Sequence, residues 1–142
     1  MRVLLDTQAW LWMLMAPQRF PSEALDVVEN TGNDLVLSAA SAWEIGIKHG
    51  LGRLELPGAP EKVIPDLMLR SGVEPLTISH AHALRAGALP PHHRDPFDRL
   101  LVAQAQMEDL PILTSDALLG QYDITLIAAG QTSRGAPTGR TM

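Results

Sequence analysis

The chain contains no cysteine. That absence excludes disulfide staples, thiolate metal sites and cysteine nucleophiles, and it is compatible with a reducing cytoplasm. No apolar run approaches the roughly 20 residues of a membrane span. Met1-Arg2-Val3-Leu4-Leu5 is broken by Asp6 before the core of a signal peptide forms. The expected location is therefore cytoplasmic, without a membrane partner. Basic charge is in short supply as well: 11 Lys+Arg against 16 Asp+Glu leave a formal net charge of −5. This balance counts against a clamp that holds nucleic acid by bulk charge. It leaves room for a nuclease, because clustered carboxylates hold cations and a bound metal presents positive charge to a phosphate. Gly46, Gly50 and Gly52 match neither G-x-G-x-x-G nor the P-loop. Ser79 and Ser115 lack the G-x-S-x-G context of a serine hydrolase. His80 and His82 stand two apart at a helix start and do not face together as zinc ligands would.

What is present is a globular composition: 142 residues, 46% apolar and 19% charged, enough for one domain with a real core. Short apolar runs at Val3–Leu5, Leu35–Leu37, Ile112–Thr114 and Ile124–Ile127 read as buried strands, and Val73–Ile78 reads as extended. Between them lie helical stretches. Gln8 to Met15 is apolar almost all round, which suits either full burial or a partner surface. Ser22–Asn30, capped by Ser22, Ser41 to about His49, Glu61–Ser71 around Pro65, and a helix capped by Ser79 follow. Alternating strands and helices predict a three-layer α/β/α sandwich with a central parallel sheet of about five short strands. We expect one domain over residues 1–129 and a patternless, disordered tail over 130–142.

His93-Arg94-Asp95-Pro96-Phe97-Asp98 reads as a loop feeding another helix. Pro96 fits the first helical position, Asp95 the N-cap and Asp98 the third position. Three further acids recur in comparable places. Asp6 follows the first strand, Glu44 lies in the first turn of the helix after the second strand, and Asp116 follows Ile112–Thr114. In a parallel sheet the carboxyl ends of strands and the helix starts that follow them share one edge, where ligands bind. Each acid also has a plain structural role open to it. Asp6, Asp98 and Asp116 sit where helix starts favour an acid, and Ser41-Ala42-Trp43-Glu44 matches the capping box. Caps alone explain less well why all four positions are acids, since Ser, Thr and Asn cap without mutual repulsion. Several carboxylates on one rim are costly unless a cation neutralises them. Oxygen ligands without thiolates select a hard cation such as Mg²⁺ or Mn²⁺.

Leu4-Leu5-Asp6-Thr7, Ser41-Ala42-Trp43-Glu44-Ile45-Gly46-Ile47-Lys48, Asp95-Pro96-Phe97-Asp98-Arg99-Leu100-Leu101-Val102-Ala103-Gln104-Ala105 and Leu113-Thr114-Ser115-Asp116 together resemble the four signature blocks of PIN-domain ribonucleases. The resemblance is nearest to the VapC-type toxins of bacterial toxin–antitoxin pairs and covers residues 2 to about 128. It implies that Asp6 and Asp98 are the main metal ligands, that Glu44 and Asp116 complete the site, and that Thr7 and Ser115 are hydrogen-bonding neighbours. It further implies Mg²⁺- or Mn²⁺-dependent RNA cleavage leaving 3′-hydroxyl and 5′-phosphate ends. A cognate antitoxin lying across apolar helices, and a homodimer or hetero-oligomer with that antitoxin, are implied too.

Two other classes stay open at this point. One is an aspartyl-phosphate α/β enzyme with Asp6 as acceptor, although Asp6-Thr7-Gln8 lacks a second acid two residues on. The other is a non-catalytic partner-binding module whose acids only cap helices. Lys48 is read as a solvated partner of Glu44 one turn away. His49 is read as a helix-dipole partner. His92, His93, Arg94 and Arg99 are read as a solvated loop and its border.

Overall fold

Val3-Leu4-Leu5 is apolar at every position because both faces of its strand are covered. In the computed structural model, which describes residues 1–130, β1 (Arg2–Leu5) lies at the centre of a five-stranded sheet. The order is β3-β2-β1-β4-β5, with β2 at Asp34–Ser38, β3 at Glu74–Leu76, β4 at Ile112–Thr114 and β5 at Leu126–Ala128, and every pairing is parallel. Side chains alternate across a strand. Val3, Leu5, Leu35 and Leu37 therefore enter one core, and Leu4, Val36 and Ile112 the other.

The first core is covered by α1 (Thr7–Met15), α2 (Ser22–Glu29), α3 (Ala39–Gly50) and α4 (Pro60–Ser71). The second is covered by α5 (His80–Ala88) and α6 (Pro96–Glu108). The three-layer expectation is met. No helix among the described residues is long and apolar enough to cross a membrane. The tail expected over 130–142 lies, Gly130 apart, outside the described residues.

Several local expectations change. α1 is mostly core: Trp10 is fully buried and Trp12 nearly so, while Met15 at its end is 65% exposed. Ser22 is the first residue of α2 and not its cap; Pro21 precedes it without a side-chain cap. α3 begins two residues earlier than expected, at Ala39, because Ser38 caps it by accepting from Ala40 N–H at 3.0 Å. The Ser41–Glu44 capping box therefore does not form, and Glu44 sits in the second turn. β3 contains Pro75, tolerable because this is an edge strand. Pro65 lies inside α4 without ending it.

Candidate active site

β1 ends at Leu5 and α1 begins at Thr7, so Asp6 is both the end of the central strand and the N-cap of the helix. Its Oδ1 accepts from Ala9 N–H at 2.6 Å, and its Oδ2 accepts from the Thr114 hydroxyl at the end of neighbouring β4. The main chain of Ser115 also lies close enough to Asp6 to favour its charged form. Burial pushes the Asp6 carboxyl up to about 6; these hydrogen bonds oppose the rise and the nearby Glu44 charge adds to it.

At the first residue of α1, the Thr7 hydroxyl meets Glu44 Oε1 at 2.6 Å and Ser41 Oγ at 2.9 Å. A hydroxyl has one proton, and the carboxylate can only accept. Thr7 therefore donates to Glu44, and Ser41 supplies the proton of the second contact. Lys48 Nζ lies 2.9 Å from Glu44 Oε2, so the expected pair along α3 is present.

Asp98 and Asp116 reach the rim differently. Asp95 caps α6, accepting from Phe97 N–H at 2.8 Å and, more weakly, from Asp98 N–H at 3.4 Å, with Pro96 behind it. This division of labour between the two acids is the expected one. Asp98 is then held in the first turn of α6, and its carboxyl is pushed up to about 8. Burial is the first cause, followed by the charges of Asp95, Asp6, Asp116 and Glu44. The three other predicted acids, Asp6, Glu44 and Asp116, thus lie within electrostatic reach of Asp98. Asp116 caps the short 3₁₀ turn Ala117–Gln121 through Leu118 N–H at 3.0 Å, and its own N–H donates to Thr114 Oγ1.

Capping thus accounts for Asp6 and Asp116 in part, and for neither Glu44 nor Asp98. Thr7 contacts an acid through its hydroxyl, as expected, whereas Ser115 influences Asp6 from its main chain.

Two predicted roles need correction. His93 is no solvated loop residue: its side chain is 13% exposed, and Nε2 lies 2.7 Å from Asp116 Oδ2 and 3.2 Å from Asp98 Oδ2. Arg99 is turned inward. Its Nη1 donates to Pro90 O and His93 O, and its Nη2 to Ala86 O and Leu89 O, at 2.9–3.2 Å. Tyr122 adds a further tie, donating its hydroxyl to Pro90 O and accepting from His93 N–H, both at 2.9 Å. His92 packs edge-on against the Tyr122 ring. Thr114 and Ser41 are likewise site residues that the motif reading left unassigned. Thr114 ends β4 inside one of the signature blocks, two residues before an acid, and that is its only signal.

Trp43 of α3 and Phe97 of α6, the residues before Glu44 and Asp98, meet edge to face at 4.9 Å and tie the two helices together. The PIN domain family model matches residues 3–124, which spans the sheet and all four acids. The chain belongs to the PIN-domain family. Within it, the chain is 42% identical over 73 residues to Ribonuclease VapC16 of Mycobacterium tuberculosis. That match takes in 46% of this chain and about half, 52%, of the relative's length. The PIN fold recurs in VapBC2 from Rickettsia felis bound to a promoter DNA fragment (TM-score 0.65, 14% identity, covering 90% of this chain and 98% of that one). It recurs also in a toxin–antitoxin complex from Klebsiella pneumoniae (TM-score 0.63, 17% identity, 92% and 99%). DNA-bound VapBC from Salmonella typhimurium is a third case (TM-score 0.64, 17% identity, 90% and 98%).

PIN-family chemistry uses a divalent cation, and the donors present here fit one. Burial opposes the ionisation of both Asp6 and Asp98; the Glu44 charge adds to this at Asp6, and the charges of Asp95, Asp6, Asp116 and Glu44 at Asp98, a condition that a cation relieves. Oxygen atoms of Asp98 and Asp116 and a nitrogen of His93 lie within 4.8 Å of one another.

Proposed function

We propose that this chain is a Mg²⁺- or Mn²⁺-dependent ribonuclease and the toxin half of a toxin–antitoxin pair. The observation that carries the reading is the convergence on Asp98 of Asp6, Glu44 and Asp116, drawn from four separate stretches of a PIN-family chain. Asp6 and Asp98 would hold the ion, with Asp116 and Glu44 completing its surroundings directly or through water. The ion supplies Lewis acidity: it polarises the phosphodiester, offsets the charge that builds in the transition state and lowers the pKa of the attacking water.

The chain's own groups do the remaining work. Thr114 and the Ala9 N–H fix both oxygens of Asp6, so its carboxylate does not swing away from the rim. Thr7 fixes one oxygen of Glu44 and Lys48 the other, which leaves Glu44 oriented to accept a hydrogen bond from the attacking water. Both oxygens of Asp6 are engaged and the residue is 6% exposed, which disfavours its use as a phosphate acceptor.

The relative's name and the VapBC neighbours support RNA as substrate and an antitoxin as partner. Exposed Trp43 and Ile47 of α3 and Leu51 just past its end recur every four residues and suit a protein partner or a second copy of the chain. The test is RNA cleavage by protein purified free of any partner, with Mg²⁺ or Mn²⁺, against EDTA and Asp6→Asn controls. Metal-dependent cleavage lost in Asp6→Asn is the expected result. An Asp6→Asn protein as active as wild type would overturn the assignment.

A further inference from the structure

His93 stands between two of the acids with both ring nitrogens engaged. Asp95 N–H donates to Nδ1 at 3.0 Å, so Nδ1 presents a lone pair and the proton of the neutral ring is assigned to Nε2. Nε2–H then points at Asp116 Oδ2, 2.7 Å away, and at Asp98 Oδ2, 3.2 Å away. To ligate a cation through Nε2 the ring would have to carry its proton on Nδ1, facing the Asp95 N–H.

We propose that His93 is an outer-sphere positioning residue of the cation site, a donor that sets the spacing of Asp98 and Asp116 and not a ligand. The inference rests on the reading of these acids as a cation site. It gives the Asp95-Pro96 helix start a second task. Asp95 is fixed by its own capping bonds, its N–H orients the imidazole, and the imidazole orients the two carboxylates. The loop that carries His93 is built for this. Arg99 holds the His93 carbonyl and three others, and the Tyr122 hydroxyl holds the His93 N–H, so the main chain of His93 is tied on both sides. Outer partners of this kind align ligands and are worth about 10–100-fold in metal affinity.

The test is Mn²⁺ binding to the full chain, read from the EPR signal of free Mn²⁺, for wild type, His93→Ala and His93→Gln, with thermal unfolding as a check on folding. Wild type should bind. His93→Ala should bind about 10–100-fold more weakly. His93→Gln, whose amide donates N–H from near the Nε2 position and offers no ligand nitrogen, should recover most of the loss. Ring ¹⁵N shifts of wild type should show Nδ1 unprotonated and Nε2 protonated, with and without Mg²⁺. His93→Ala with wild-type affinity overturns the inference while leaving the ribonuclease reading intact. So does His93→Gln as weak as His93→Ala, or loss of the Nε2 proton on adding Mg²⁺, since each marks a ligand. A wild type that takes up no Mn²⁺ sinks the cation site and the inference together. If His93→Ala does not fold, His93→Gln against wild type and the ring shifts decide.

Discussion

The two halves of the acidic rim are held by different means. Asp6 and Glu44 stand where central strands run straight into helices, and hydroxyls fix them: Thr114 on Asp6, and Thr7 with Ser41 on Glu44. Asp98 follows a long connection and Asp116 follows β4, and a histidine from that connection, His93, reaches both. The electrostatic outcome differs accordingly. The hydroxyl and main-chain donors around Asp6 limit its rise to about 6, whereas Asp98, which meets the charges of four other acids, rises to about 8. A carboxylate with several neutral donors tolerates burial, and one surrounded by like charge does not. Asp6 is thus built into the fold, while Asp98 is a charge that the fold accepts for the sake of what binds there.

Replacing each acid by its amide breaks this comparison most sharply. Both Asp98→Asn and Asp6→Asn should lower metal-dependent RNA cleavage by at least about 10²-fold, the scale of losing one charge-stabilising group. Their stabilities should move in opposite directions. Asp98→Asn removes a disfavoured charge and keeps an acceptor for His93 Nε2–H, so without divalent cation at pH 8 it should unfold at a higher temperature than wild type. Asp6→Asn sets an N–H₂ against Thr114 Oγ1, which already accepts from Asp116 N–H and donates to Asp6. It should unfold at a lower temperature. Equal shifts of the same sign in both variants would show that the halves do not differ.

Next in size is the pH dependence of stability without cation. Both acids are held above their ordinary value of 3.8, at about 6 and about 8, so between those values the folded chain binds more protons than the unfolded chain. Stability then falls with rising pH. Their contribution is whole below pH of about 4 and is lost as pH climbs through 6 and then 8, a drop of a few kcal/mol. Thermal melts at pH 5 and pH 8 measure it. Added Mn²⁺ should raise the melting temperature far more at pH 8 than at pH 5, and a flat profile in Asp98→Asn above pH 7 would assign the upper step to Asp98.

Thr114→Val tests the hydroxyl support alone. It keeps the shape of the side chain, leaves Asp6 Oδ2 without its donor and Asp116 N–H without its acceptor, and should cost about 1.5–3 kcal/mol of stability at pH 8, measured by urea unfolding.

The same division decides how much was readable in the sequence. Strands of uniform apolar character and the abrupt Leu5-Asp6-Thr7 junction carried the three-layer fold and the placement of Asp6 directly. Asp95-Pro96 fixed the start of α6 because proline and an N-cap acid act locally. His93, Arg99 and Tyr122 were misread or unread for the opposite reason. Their roles arise from contacts between residues 10 to 29 positions apart in the chain, and nothing in His92-His93-Arg94 distinguishes a tethered loop from a solvated one. The Ser41–Glu44 capping box failed because a better cap, Ser38, stood upstream at the strand end. Tertiary position, and not local propensity, then gave Ser41 and Glu44 to Thr7.

The smallest expected effect concerns Lys48. Its ammonium lies 2.9 Å from Glu44 and, with a side chain 48% exposed, suggests at first sight the counter-charge that keeps Glu44 ionised. Glu44 already receives the Thr7 proton on its other oxygen, and a half-exposed ion pair one helical turn apart contributes about 0.3–0.5 kcal/mol. Lys48→Met, which retains the apolar stem, should therefore change stability by less than about 1 kcal/mol and cleavage by only a few-fold. Thr7→Val should be the more damaging of the two, because it removes a buried donor. Should Lys48→Met instead abolish cleavage while the fold survives, Glu44 would depend on charge as Asp98 does, and the contrast between the two halves of the rim would narrow to Asp6 alone.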